Sequence, residues 1–135
     1  MNLITRDELR RKLDRGEEVQ LVMALPAHAY RTKRIPGTRH FETIGEALDG
    51  LDPREEIVLY CATVYCPGSI YAYRLLEREG YKRVRRYAGG LDDWESAGYP
   101  IETGTPGPAA EAKRRARGRR ARMPRPLARR WPALA

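Results

Sequence analysis

The chain of 135 residues is the size of one ordinary domain, and its 26 Lys and Arg against 18 Asp and Glu give a net charge of +8. Residues 1–104 carry 16 basic and 17 acidic side chains, so the whole excess lies in residues 105–135, where ten bases meet one acid. That asymmetry excludes a uniformly basic nucleic-acid-binding fold and describes a near-neutral domain, 1–104, followed by a basic tail, 105–135.

The tail holds five of the ten prolines and packs its bases between Lys113 and Arg130. With few large apolar residues it cannot bury enough surface to offset the entropy of ordering, and disorder is expected. It reads either as a compositionally biased extension without a task or as a segment, residues 113–130, that attracts a polyanion nonspecifically; without interleaved aromatics there is no sign of base readout. No stretch reaches the roughly 18 apolar residues of a membrane span, and the first residues lack a positive-then-apolar leader pattern, so a cytoplasmic location is expected. Cys61 and Cys66 are the only cysteines. In a reducing compartment two cysteines read as a thiol site rather than a scaffold.

In chain order, Thr5 and Glu8 form a capping-box pattern ahead of Leu9 and Leu13, which predicts a helix over 6–15 ending before Gly16. The apolar run from Val19 to Ala24, closed by Pro26, suits a buried strand. A polar stretch then leads to a turn at Ile35-Pro36-Gly37, followed by a short strand near 39–41 and a small helix over 44–48. Ile57-Val58-Leu59-Tyr60 has no polar alternation, the mark of a strand covered on both faces, and it ends directly on Cys61. Pro67-Gly68-Ser69 opens a helix whose Ser69, Ala72, Tyr73 and Leu76 form one stripe before Gly80. A last strand over 84–88 leads into Gly89-Gly90 and a short helix over 91–97. Strands alternating with helices predict a parallel α/β sheet, and ligand sites in such sheets lie beyond the carboxyl ends of strands, where Cys61 falls.

Four segments occurring in this order resemble the rhodanese-like domains. They are Arg34-Ile35-Pro36-Gly37-Thr38; Ile57-Val58-Leu59-Tyr60-Cys61; Ser69 with Ala72 and Leu76 up to Gly80-Tyr81; and Tyr87-Ala88-Gly89-Gly90-Leu91-Asp92-Asp93-Trp94 with Gly98-Tyr99-Pro100-Ile101. The resemblance spans roughly residues 3–103. It implies a three-layer α/β fold with a central, mainly parallel five-stranded sheet flanked by helices. It also implies a sulfurtransferase in which Cys61 accepts sulfane sulfur from thiosulfate or a persulfide and passes it to a thiol acceptor. The cradle for that persulfide would be the loop Ala62, Thr63, Val64, Tyr65, Pro67, Gly68 and Ser69, whose amides and following helix stabilise negative charge on sulfur.

The chain also departs from the family pattern. Active members have five loop residues between the cysteine and the helix-opening serine, with a cation among them; here seven uncharged residues separate Cys61 from Ser69. The family's Asp-Val-Arg after an early strand is replaced by Val22-Met23-Ala24. Any contact to an anionic donor would then fall to Arg34, or to its neighbours Lys33 and Arg31. The related phosphatases need Cys-x5-Arg to clamp phosphate, but Pro67 and Ala72 stand six residues after the two cysteines, which argues against that chemistry. Cys66 reads either as a loop residue without a task or as a resolving thiol that closes a disulfide on Cys61, which needs the loop to fold back. Tyr65 is a candidate wall of an apolar mouth. His28 and His40 match no zinc module, so neither metal nor cofactor is expected. The alternative to an enzyme is a catalytically inactive rhodanese fold used for binding or thiol-redox sensing.

Overall fold

A computed structural model describes residues 1–105. The expected disorder and polyanion contact of the basic tail lie outside the described residues. Three strands, β1 (Val19–Met23), β2 (Glu56–Tyr60) and β3 (Val84–Tyr87), form a wholly parallel sheet in that order. Five helices connect or flank them: α1 (Arg6–Asp14), α2 (Ala27–Thr32), α3 (Ile44–Gly50), α4 (Gly68–Arg78) and α5 (Gly90–Ser96). Leu21 pairs with Val58 and Leu59 with Arg86, so β2 is the covered middle strand that its unbroken apolar run requires.

The pleat divides the interior in two. Leu21, Met23, Val58, Tyr60 and Tyr87 face one way and pack with Leu9, Tyr30, Leu91 and Trp94 from α1, α2 and α5. Val22, Ile57, Leu59 and Val84 face the other way, against Leu48 of α3 and Tyr73 and Leu76 of α4. The result is the three-layer arrangement predicted.

The expected five strands are corrected to three among the described residues. Both missing edges persist as single bridges, Leu3 beside Arg86 and Arg39 beside Val22. Neither has room to lengthen. Thr5 already caps α1, accepting the Glu8 amide at 3.2 Å, and Arg39 is preceded by the Pro36-Gly37 turn, with Gly37 at φ 87°. A helix replaces the polar stretch after Pro26: α2 starts without a side-chain cap and buries only Tyr30.

The segment from Ile35 to Thr38 braces β2 immediately ahead of the cysteine. The Thr38 hydroxyl donates to the Ile35 carbonyl at 2.6 Å, which leaves the Tyr60 hydroxyl to donate to Thr38 Oγ1 at 2.7 Å while accepting the Ile35 amide at 3.1 Å. Burial holds the Tyr60 phenol well above its ordinary pKa, outweighing the contrary pull of those hydrogen bonds. The unfolded chain loses this proton near pH ~10 and the folded chain keeps it, so the stabilisation is complete below that pH and is lost as pH rises beyond it. Between pH 9 and 11 urea unfolding should lose about 1.4 kcal/mol in total from this residue alone, most of it above pH 10. The slope should be shallower in Tyr60→Phe; equal slopes would contradict the assignment.

Candidate functional site

Cys61 follows β2 directly, at the carboxyl edge of the sheet, and is 1% exposed. Two backbone bonds from the start of α5 fix the chain there: the Leu91 amide donates to the Cys61 carbonyl at 2.9 Å and the Asp92 amide to the Ala62 carbonyl at 2.8 Å. Gly90 makes this approach possible. Its φ is +71°, and a Cβ would stand 2.6 Å from the Cys61 carbonyl oxygen.

Past Ala62 the loop turns back on itself. The Cys66 amide donates to the Thr63 carbonyl at 3.2 Å and the Tyr65 amide to Thr63 Oγ1 at 3.3 Å. This return brings the Cα atoms of Cys61 and Cys66 to 6.2 Å, and the two sulfurs form a disulfide. Cys66 is the more accessible partner; Val64 is 54% and Tyr65 91% exposed. Tyr65 therefore stands out from the loop.

Gly68 lies behind the sulfur pair. A Cβ on it would come within 3.5 Å of Cys61 Sγ and 3.7 Å of Cys66 Sγ, but also 2.7 Å from the Ala24 carbonyl oxygen, so only glycine leaves that backbone where it is. Within the described residues the amides of Ala62, Thr63, Val64, Gly68, Ser69 and Ile70 donate to no protein acceptor. The loop and first turn of α4 thus carry N–H groups with no protein acceptor, and the helix dipole favours negative charge at that end of α4.

The cationic side chains lie elsewhere than the sequence suggests. The Arg34 guanidinium is fully buried, donating to Glu102 Oε1 at 2.8 Å and to the carbonyls of Tyr30 and Gly104 at 2.8 and 2.7 Å, with its Cζ 4.4 Å above the Tyr30 ring. In place of the expected anion contact, it ties residues 102–104 to α2. Lys33 bonds Glu95 at 2.6 Å.

Arg86 is the cation that sequence reasoning missed. It projects from β3 onto the α4 side of the sheet, is 7% exposed, and donates from Nε to the buried Ser69 Oγ at 2.8 Å. No described carboxylate forms an ion pair with it. Its charge therefore adds to the positive end of α4, one residue from Gly68. The available signal was two adjacent arginines inside a strand covered on both faces, where one of them must enter the core.

A parallel sheet covered on both faces, with a disulfide-paired cysteine directly after its middle strand, defines a three-layer α/β domain. The chain belongs to the rhodanese-like domain family, whose profile matches residues 5–97. It is 34% identical over 105 residues to the HTH-type transcriptional regulator Rv0324 of Mycobacterium tuberculosis, covering 76% of this chain and 46% of that protein. It is 36% identical over 62 residues to the thiosulfate sulfurtransferase GlpE of Actinobacillus pleuropneumoniae, covering 46% of this chain and 56% of that one. The chain thus spans about half the length of these curated relatives. Among solved structures, the BH2092 protein of Bacillus halodurans superposes with a TM-score of 0.72 at 20% identity, over 83% of this chain and 89% of that one, a likeness of fold. No helix among the described residues is long and apolar enough to cross a membrane.

Proposed function

We propose that the domain is a sulfurtransferase whose Cys61, once reduced, takes a sulfane sulfur from a small donor and delivers it to a thiol acceptor. The observation that carries this reading is the position of Cys61 Sγ, at the end of β2 and against Gly68, in a loop whose amides 62–64 and 68–70 have no protein acceptor. In the step itself the Cys61 thiolate attacks the outer sulfur of a persulfide, the sulfur–sulfur bond of the donor breaks, and the donor leaves as its thiolate. Cys61 then carries a persulfide anion. The outer sulfur needs a place beside Sγ, and in the disulfide Cys66 Sγ stands in for it, bonded to Cys61 and facing Gly68. The positive end of α4, with the Arg86 charge held at Ser69, would offset the anion.

The loop itself carries no cation, which favours a persulfide monoanion over the thiosulfate dianion as donor. The likeness to GlpE supports sulfur transfer as the chemistry. A second reading, a thiol-redox sensing module, draws on the ready pairing of Cys61 with Cys66 and on the likeness to a transcriptional regulator.

Mass spectrometry separates the two. Reduced Cys66→Ser protein incubated with glutathione persulfide should gain one sulfur on the Cys61 peptide, and more slowly with thiosulfate. The double variant with Cys61→Ser should gain none. Folded protein that takes no sulfur from either donor, while the wild type still cycles between dithiol and disulfide, would overturn the enzyme reading in favour of sensing.

A further inference from the structure

Resting on that reading of Cys61, we propose that Cys66 converts the sulfur-loaded domain into a persulfide reductase, expelling the carried sulfur as hydrosulfide and closing the Cys61–Cys66 disulfide. Three observations point to it. The loop between Cys61 and Ser69 doubles back through the Thr63 turn, so the second cysteine is returned to the first instead of being held out in solvent. The two sulfurs are already paired, with their Cα atoms 6.2 Å apart. Finally, Gly68 presents a face without a side chain to both sulfurs, so that Cys66 Sγ and a sulfane sulfur would compete for the same position on Cys61.

The chemistry balances. In the loaded state Cys61 carries an inner sulfur, its own Sγ, and an outer sulfur with the negative charge. The Cys66 thiol attacks the inner sulfur, the bond between inner and outer sulfur breaks, and its electron pair leaves with the outer sulfur. The Cys66 proton goes with it to give hydrosulfide. The two cysteines together lose two electrons, which the sulfane sulfur gains. Attack on the outer sulfur would only move the persulfide to Cys66; the Cys61–Cys66 bond is the one that attack on the inner sulfur would form.

The cycle then needs a dithiol to reopen the bond. Cys61 is 1% exposed and Cys66 is not buried, so an incoming thiolate meets the Cys66 sulfur first. Cys61 departs as the thiolate that the positive end of α4 favours, and the second thiol of the reductant clears the mixed disulfide from Cys66. Over one turnover a persulfide and a dithiol become a thiol, hydrosulfide and a disulfide.

A single-turnover experiment on the full chain tests this. Reduced protein freed of reductant receives one equivalent of glutathione persulfide, and hydrosulfide, free thiols and the Cys61 adduct are measured together. The wild type should release close to one hydrosulfide per chain and lose both thiols. Cys66→Ser, and Cys66→Ala as a check on folding, should retain the Cys61 persulfide and release about tenfold less, since glutathione freed from the donor is common to all three proteins. Adding dithiothreitol should make the wild type turn over repeatedly. Equal hydrosulfide from wild type and variants, or a wild type that keeps its persulfide beside a free Cys66, would overturn the inference while leaving sulfur transfer intact. Absence of any Cys61 adduct in all three would overturn both.

Discussion

Gly90→Ala is expected to destabilise the domain by about 3 kcal/mol and to abolish sulfur loading on Cys61 in the molecules that remain folded. The left-handed φ of +71° alone costs an alanine about 1–2 kcal/mol. The steric obstacle costs more. A Cβ would stand 2.6 Å from the Cys61 carbonyl oxygen and 3.0 Å from the carbonyl carbon and oxygen of Ala62, all of it backbone that no rotamer change can move. Relief requires α5 to withdraw, which breaks the bonds from the Leu91 and Asp92 amides and strands two carbonyls.

Gly89→Ala makes the control. Its φ is an ordinary −63°, and its Cβ would press on the Asp93 side chain, which can rotate once it leaves its contacts with Tyr87 and Arg6. That variant should cost less than about half as much and still load Cys61. Urea midpoints with the mass of the Cys61 peptide decide the matter: a Gly90→Ala protein within about 1 kcal/mol of wild type would mean that the α5 start does not hold the cysteine loop.

The contrast between the two glycines shows where sequence reading stops. Gly89-Gly90 was legible as the junction between a strand and a helix, but which glycine touches which backbone depends on the register of α5 against β2. The middle strand was legible for a different reason: four apolar residues without alternation admit few placements. α2 was not, since Ala27–Thr32 offers one large apolar residue, no side-chain cap, and a proline that signals a strand end equally well. The edge strands were overcounted because neither the resemblance that implies five strands nor the pattern that places one near 39–41 can show that a cap or turn on either side leaves one pairing residue. At the site, Cys61 could be placed by rule, and the return of Cys66 could only be posed as a question. Arg86 was concealed in Lys82-Arg83-Val84-Arg85-Arg86, where the charges look alike in sequence. In the fold the strand pleat sends Arg85 to Glu8 on one face and Arg86 to Ser69 on the other.

Arg34 poses the sharpest conflict between the two readings, and its replacement separates them. As a contact for an anionic donor, its loss would weaken sulfur loading and leave stability nearly unchanged. As the structure has it, the guanidinium is a strut: fully buried, stacked over Tyr30, and the donor to Glu102 and two backbone carbonyls, while its own backbone exchanges bonds with Glu102 at 2.9 and 2.8 Å. Arg34→Met keeps much of the packed volume and removes every one of the side-chain bonds. The Tyr30 and Gly104 carbonyls lose a charged donor, and Glu102, about a third exposed, recovers part of its loss from water. A net destabilisation of about 3 kcal/mol is expected. Arg34→Lys keeps the charge without the planar fork and should still cost about 1 kcal/mol or more, because one ammonium cannot meet acceptors placed for two guanidinium nitrogens. In both variants the rate of Cys61 loading by thiosulfate, per folded molecule, should stay within about twofold of wild type, since no bond of Arg34 reaches the cysteine loop. Loading slowed about tenfold at an unchanged urea midpoint would restore Arg34 as the donor's anion contact.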